Sequence, residues 1–131
     1  MNPYILDHIG LNVSDFPAAR AFFAAALAPL GITVVKEGEG WGMLGREGKP
    51  QLWFGAFGPP PGPIHLAFAA EDREQVRRFH AAALAAGATD NGAPGLRPYH
   101  PHYYGAFVIG PDGHNVEAVC HAAEPGDPAP G

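Results

Sequence analysis

Two histidines and one glutamate carry the chemistry that this sequence can do: His8, His65 and Glu117. Imidazole nitrogen and carboxylate oxygen both bind divalent first-row metals, and two of one with one of the other form a facial triad with open coordination positions. Such a set suits one ion of Fe, Mn, Zn, Ni or Co, with the open positions available to water, oxygen or a bidentate substrate. The histidines stand at matching points of an internal repeat. DHIGLNVSD at 7–15 is followed by FFAAALA, and IHLAFAAED at 64–72 is followed by FHAAALA. His65 lies 57 positions after His8, and the same offset brings Asp72 onto Asp15, Phe79 onto Phe22 and Leu84 onto Leu27. The terminal hairpins align at an offset of about 64, which brings Glu117 onto Trp53 and leaves roughly seven extra residues in the second copy. Equivalent side chains in a duplicated fold can face each other across a pseudo-twofold axis, so the site is expected between the halves.

The elements that must position these groups follow from periodicity. Alternation predicts a strand over 4–13, with Ile5, Ile9, Leu11 and Val13 on one face and Leu6, His8, Gly10 and Asn12 on the other. Ser14 or Asp15 caps a helix running to Leu30, whose stripe is Ala19, Phe22, Phe23, Ala26, Leu27 and Leu30, and Gly31 stops it. Strands are predicted over 32–37, 41–45 and 51–57, with 46–50 as a hairpin turn. GPPPGP at 58–63 can be neither helix nor central strand and links the modules. The second module repeats the order: a strand over 64–70, a helix capped by Asp72 with Gln75 as capping-box partner, a loop over 90–103, then strands over 104–109 and 115–121. The expected fold is α+β, two tandem βαβββ modules whose curved mixed sheets surround a concave site, with helices on the outer face. Pleating sends His8, Trp53, His65 and Glu117 away from the helix-covered side, so four strands agree on one concave face.

Around that face, Trp53 and Phe57 read as apolar walls for a substrate. The loop from Arg97 to Tyr104 is dense in groups that hydrogen-bond, stack and move protons. There Arg97 and Tyr103 are candidates for binding substrate, and His102 and Tyr104 for acid/base catalysis. His114, in a turn, is expected to be exposed.

On DHIGLNVSD, IHLAFAAED and GPDGHNVEAVCH at 110–121, the chain resembles the vicinal oxygen chelate superfamily of glyoxalases, extradiol dioxygenases, fosfomycin resistance enzymes and bleomycin-binding proteins. The pattern from Pro111-Asp112-Gly113 to Glu117 is the most specific of these motifs, and the resemblance spans residues 4–121. It implies metal ligation by His8, His65 and Glu117. It also implies a fourth glutamate ligand in glyoxalase I where this chain has Trp53, so a glutathione-dependent glyoxalase I is disfavoured. The resemblance leaves lyase, isomerase, dioxygenase and nucleophilic addition chemistry open. It also leaves open a non-catalytic drug-sequestering protein of the bleomycin resistance type, its cup lined by Trp53, Phe57, Tyr103 and Tyr104.

Composition sets the outer bounds. The 131 residues suit one domain over 1–122, with modules at 4–58 and 63–121 and a flexible Pro/Gly/Asp-rich tail over 123–131. A net charge of −5 with few Lys and Arg argues against nucleic acid or an anionic membrane as partner. A single cysteine, Cys120, precludes an internal disulfide and fits a reducing cytoplasm. The expected partners are a small-molecule substrate and a second copy of the chain, because two modules alone leave sheet edges and an open cup.

Overall fold

A computed structural model describes residues 6–60 and 62–128. The first module runs β1 (Ile9–Asn12), α1 (Phe16–Leu27), β2 (Thr33–Gly38), β3 (Trp41–Arg46) and β4 (Lys49–Gly55). The second runs β5 (His65–Ala69), α2 (Arg73–Ala85), β6 (Thr89–Leu96), β7 (Tyr104–Ile109) and β8 (Asn115–Cys120). Each module builds one four-stranded sheet, in the orders β1-β4-β3-β2 and β5-β8-β7-β6. Its first strand pairs in parallel with its last, and the other pairs are antiparallel. The fold is therefore α+β with two repeated βαβββ modules and mixed open sheets. The part of the first expected strand that contains Tyr4 and Ile5 lies outside the described residues, as do residues 129–131.

Local chemistry accounts for the helices. The Asp15 carboxylate accepts the Ala18 N–H at 3.1 Å, Pro17 occupies the first turn, and a 3-10 turn over Ala28–Leu30 ends on Gly31 at φ 75°. Asp72 does the same for Gln75 N–H at 2.8 Å, while the Gln75 side chain accepts from Glu71 N–H at 2.9 Å. That closes a capping box displaced by one residue from the Asp72 N–H. Glu47 and Gly48, at φ 51° and 77°, make the two-residue left-handed turn between β3 and β4.

The core is continuous across both modules. Phe23, Phe54 and Phe79 are fully buried, and α2 packs on α1 as well as on β7 and β8. Burying each of these rings contributes about 1.5–3 kcal/mol relative to exposure. The modules are also clamped by polar contacts. Ser14 Oγ donates to Asp112 Oδ1 at 2.5 Å and Ser14 N–H to Asp112 Oδ2 at 3.1 Å, so the Pro111-Asp112-Gly113 turn ties the second module to the start of α1. Arg46 donates to the carbonyls of Leu30 and Ala69, bridging the β3 end to β5.

Two expectations change. Residues 89–96 form a strand where the sequence reads as a loop. Gly92, Pro94 and Gly95 break the alternation, and the β6–β7 pairing shifts register twice, between Asp90 and Gly92 and between Gly92 and Gly95. Pro94 is compatible with pairing because β6 is the outermost strand of its sheet. His114 is buried, at 1 % exposure, and its Nδ1 accepts the Ile64 N–H at 3.0 Å. Within the described part of the tail, Asp127 accepts from Arg73, His102 and the Glu124 N–H.

Candidate functional site

The repeat seen in the sequence is exact in the sheet register. Gly10 pairs with Trp53 in the first module, and Ala67 pairs with Glu117 in the second. Each histidine lies two positions before the paired small residue and shares its face. His65 Nε2 donates to Glu117 Oε1 at 2.7 Å, while His8 stacks on Trp53 with ring centroids 4.8 Å apart and an interplanar angle of 21°. The two halves are thus geometrically equivalent and chemically different. One holds a carboxylate against its histidine, the other an indole.

The second module supplies the more elaborate half. The Glu117 side chain is fully buried, and its two oxygens are divided between His65 and the Tyr103 hydroxyl, which donates to Oε2. Burial, reinforced by the Glu117 carboxylate, pushes the Tyr103 phenol up to about 12. Gly105 stands between them. A Cβ there would lie 3.1 Å from both Glu117 Oε2 and Tyr103 Cε1, so the close approach needs a residue without one. Tyr103 is packed by Tyr99 and His121, with centroids at 5.1 and 5.2 Å, and stacked at 6.2 Å by His100. Phe107, paired with Glu117 in the ladder, lies 6.1 Å from the His65 ring and carries the Arg97 guanidinium at 5.3 Å. Arg97 is held there by the Ala93 carbonyl at 2.8 Å.

In the first module, Asp7 Oδ1 lies 2.9 Å from His8 Nδ1, and this hydrogen bond holds the Asp7 carboxyl below the usual carboxylate range. A carboxylate on Nδ1 fixes the tautomer that leaves Nε2 as the acceptor, the form a metal ligand needs. Trp53 is 37 % exposed and Phe57 62 %, so this half is open to solvent. A cleft of about 600 Å³ opens between the modules, with Ile9, Leu52, Leu66 and Phe68 in its wall and Arg46 and His8 among its polar lining. His65 and Glu117 are not in that lining.

The structure thus brings His65, Glu117, Tyr103 and Arg97 onto one face of the second module, and stacks His8 on Trp53 in the first, where the Phe57 ring lies over Gly55. It does not join the two groups. Among the described residues no three His, Cys, Asp or Glu side chains converge as a metal-binding set. The His65–Glu117 pair, an imidazole nitrogen and a buried carboxylate oxygen already in contact, offers the donor types that a divalent ion takes. Among the described residues, His8 does not join that pair.

His102 and Tyr104, the expected acid/base candidates, turn away from this face. Counting in twos along β7 from Phe107 puts Tyr103 and Gly105 on the concave side, and Tyr104 on the helix side with the buried Ala106 and Val108. There Arg77 donates to the Tyr104 hydroxyl at 3.2 Å, and Arg73 lies over its ring at 5.1 Å. His102, at φ 61°, sends its ring to Asp127 at 2.7 Å. Tyr99, His100 and His121 pack around Tyr103 without any spacing in the sequence that singles them out. The density of aromatic residues in the loop was the available signal.

The family model for the Glyoxalase/Bleomycin resistance protein/Dioxygenase superfamily matches residues 5–118. A glyoxalase/bleomycin resistance protein from Albidiferax ferrireducens is similar in structure, with a TM-score of 0.78 at 25 % identity over 91 % of this chain and 100 % of that one. A glyoxalase/bleomycin resistance protein/dioxygenase family enzyme from Burkholderia phytofirmans gives 0.69 at 22 % identity, covering 88 % of this chain and 98 % of the other. A glyoxalase-related enzyme from Fulvimarina pelagi gives 0.68 at 17 % identity, covering 91 % and 88 %. A comparison with curated protein sequences finds no match.

Proposed function

The chain belongs to the Glyoxalase/Bleomycin resistance protein/Dioxygenase superfamily, and from that membership we propose that it is a divalent-metal-dependent enzyme acting on a small substrate with adjacent oxygens. The observation that carries this reading is the fully buried Glu117 carboxylate in contact with His65 at 2.7 Å. A buried carboxylate is costly unless it is paired, and this one is paired with an imidazole, a side chain of a type that binds metals, on the open face of the sheet. His65 and Glu117 would hold the ion, and His8 from a second copy of the chain would complete the set. A homodimer suits this arrangement because His8 adjoins β1 and His65 lies in β5, each the outermost strand of its sheet. Leu6, Trp53 and Phe57 are exposed apolar groups of the first module, surface that a dimer contact would cover.

When bound, the ion would act as a Lewis acid or redox centre for the chelated oxygens. The chain's own groups do the rest. Tyr103 fixes the second Glu117 oxygen and so the direction of the first. Arg97 places a positive charge above Phe107, where an anionic substrate group can be held. Trp53 and Phe57 form an apolar wall, and the cytoplasm is the expected setting.

A second reading, a non-catalytic binder of aromatic compounds, draws on the ring cluster of Tyr99, His100, Tyr103 and His121. Calorimetric titration of chelator-treated protein with Mn(II), Fe(II), Co(II), Ni(II) and Zn(II) decides between them. The enzyme reading expects one ion per chain, with affinity falling at least roughly 10-fold in His65→Ala and Glu117→Gln. Affinity unchanged in both variants would overturn it.

A further inference from the structure

One carboxylate near the C-terminus gathers three segments of the second module. Asp127 Oδ2 accepts from Arg73 Nη2 at 2.5 Å, from His102 Nδ1 at 2.7 Å and from the Glu124 N–H at 3.0 Å. Its side chain is only 7 % exposed, and the Arg73 side chain 8 %. Arg73 is the first residue of α2 and also ion-pairs with Glu124 at 3.3 Å, so the anchor is rigid on the helix side. His102 is the contact on the loop side. It is a non-glycine residue in the left-handed region, a conformation that persists where surrounding contacts hold it. The next residue is Tyr103, whose hydroxyl donates to Glu117. The loop is pinned on either side of that step by Arg97 N–H to the Tyr103 carbonyl at 2.8 Å and Tyr103 N–H to the His100 carbonyl at 3.3 Å. His102 and Tyr103 thus point to opposite sides of one backbone, one into the tail and one onto the proposed metal ligand.

We propose that Asp127 is a positioning residue: through His102 it sets the Tyr103 hydroxyl on the Glu117 carboxylate, so the C-terminal segment shapes the metal half-site without touching it. The inference rests on the reading of Glu117 as a ligand for its consequence, but not for its geometry. Partners that orient a ligating carboxylate govern the affinity of the site they support. Among the described residues no hydrogen bond or ion pair joins Asp127 or His102 to Glu117, His65 or His8, so the proposed route is the backbone step from His102 to Tyr103.

The test uses the full chain with ring-labelled tyrosine and compares wild type, Asp127→Ala, His102→Ala, Tyr103→Phe and the Asp127→Ala/Tyr103→Phe double variant. Nuclear Overhauser contacts between the Tyr103 and His121 rings report its position in metal-free protein, and Mn(II) alone reports the half-site. Loss of those ring contacts in Asp127→Ala and His102→Ala is expected. A roughly 10-fold weaker Mn(II) affinity should accompany it, matched by Tyr103→Phe and not deepened in the double variant. A merely structural tail would lower the melting temperature of every tail variant but leave the ring contacts in place and make the affinity losses additive. Ring contacts retained in folded Asp127→Ala overturn the proposal. If that variant does not fold, the same result in His102→Ala, which removes only the imidazole, overturns it. Wild-type protein that takes up no Mn(II) would sink the metal reading alone, and the ring contacts would still decide the role of Asp127.

Discussion

Replacing Tyr103 by Phe removes one oxygen atom and keeps the ring among Tyr99, His100 and His121. What it exposes is the cost of an unpaired buried charge. Glu117 Oε2 has Tyr103 as its hydrogen-bond donor, the side chain is 0 % exposed, and His65 serves the other oxygen. A hydrogen bond to a buried charged group is worth about 1.5–3 kcal/mol, so the variant should lose about 2 kcal/mol. At about 2.1 cal/mol/K per residue, a chain of this length has an unfolding entropy near 0.28 kcal/mol/K, so the melting temperature should fall by about 7 °C. The assay is calorimetry or urea denaturation of chelator-treated protein at neutral pH. Glu117→Gln supplies the control, because a neutral amide oxygen left unpaired costs less. In that background the Tyr103→Phe penalty should shrink to about 1 kcal/mol. A Tyr103→Phe protein melting within about 2 °C of wild type would refute the claim that Glu117 is buried, charged and dependent on this hydroxyl.

Gly105→Ala places a Cβ 3.1 Å from both Glu117 Oε2 and Tyr103 Cε1, and overpacking there should cost about 1–2 kcal/mol by denaturant unfolding and weaken metal binding. Phe54→Ala empties a fully buried position between Phe16 and Phe23, and should destabilise by about 3–5 kcal/mol in the same assay. The pH dependence of stability has two limbs. Arg73 first, then the Glu124 N–H and His102, hold the Asp127 carboxyl below its ordinary value, so its contribution is complete above about pH 4 and is lost as pH falls further. The Tyr103 phenol is raised to about 12, so its contribution is complete below about pH 10 and is lost as pH rises through 12. Urea midpoints across pH should show the acid limb weakened in Asp127→Ala and the alkaline limb weakened in Tyr103→Phe.

The parts of the site visible in the sequence are those set by periods. The 57-residue offset found His65 from His8, and alternation put Glu117 on the concave face, which the Ala67–Glu117 pairing matches in register. The same alternation, run from Phe107, would have placed Tyr103 rather than Tyr104 beside Glu117. That reading was missed because the loop before β7 gave no register. β6 was hidden because Gly92, Pro94 and Gly95 carry turn chemistry into an edge strand, and only the tertiary partner β7 overrides it. The role of Asp127 was not legible at all. A lone aspartate in a Pro/Gly-rich tail has no local pattern, and its partners Arg73 and His102 are 54 and 25 positions away. His8 presents the opposite case. Its type and placement were plain, but whether it meets His65 depends on packing between modules or between copies, which periodicity does not encode.

That dependence makes the most direct measurement one of metal content across subunits. In a twofold dimer each site would take His8 from one chain and His65 with Glu117 from the other. His8→Ala and Glu117→Gln homodimers would then both have two damaged sites. Their heterodimer would have one site with both lesions and one intact site. Co-expressed at equal levels with random pairing, the two variants should hold about one tightly bound ion for every four chains, while each variant alone holds essentially none. Elemental analysis after dialysis against a weak chelator reads this number. Metal content that stays as low in the mixture as in the separate variants, or a His8→Ala protein that keeps its full complement, would contradict the account.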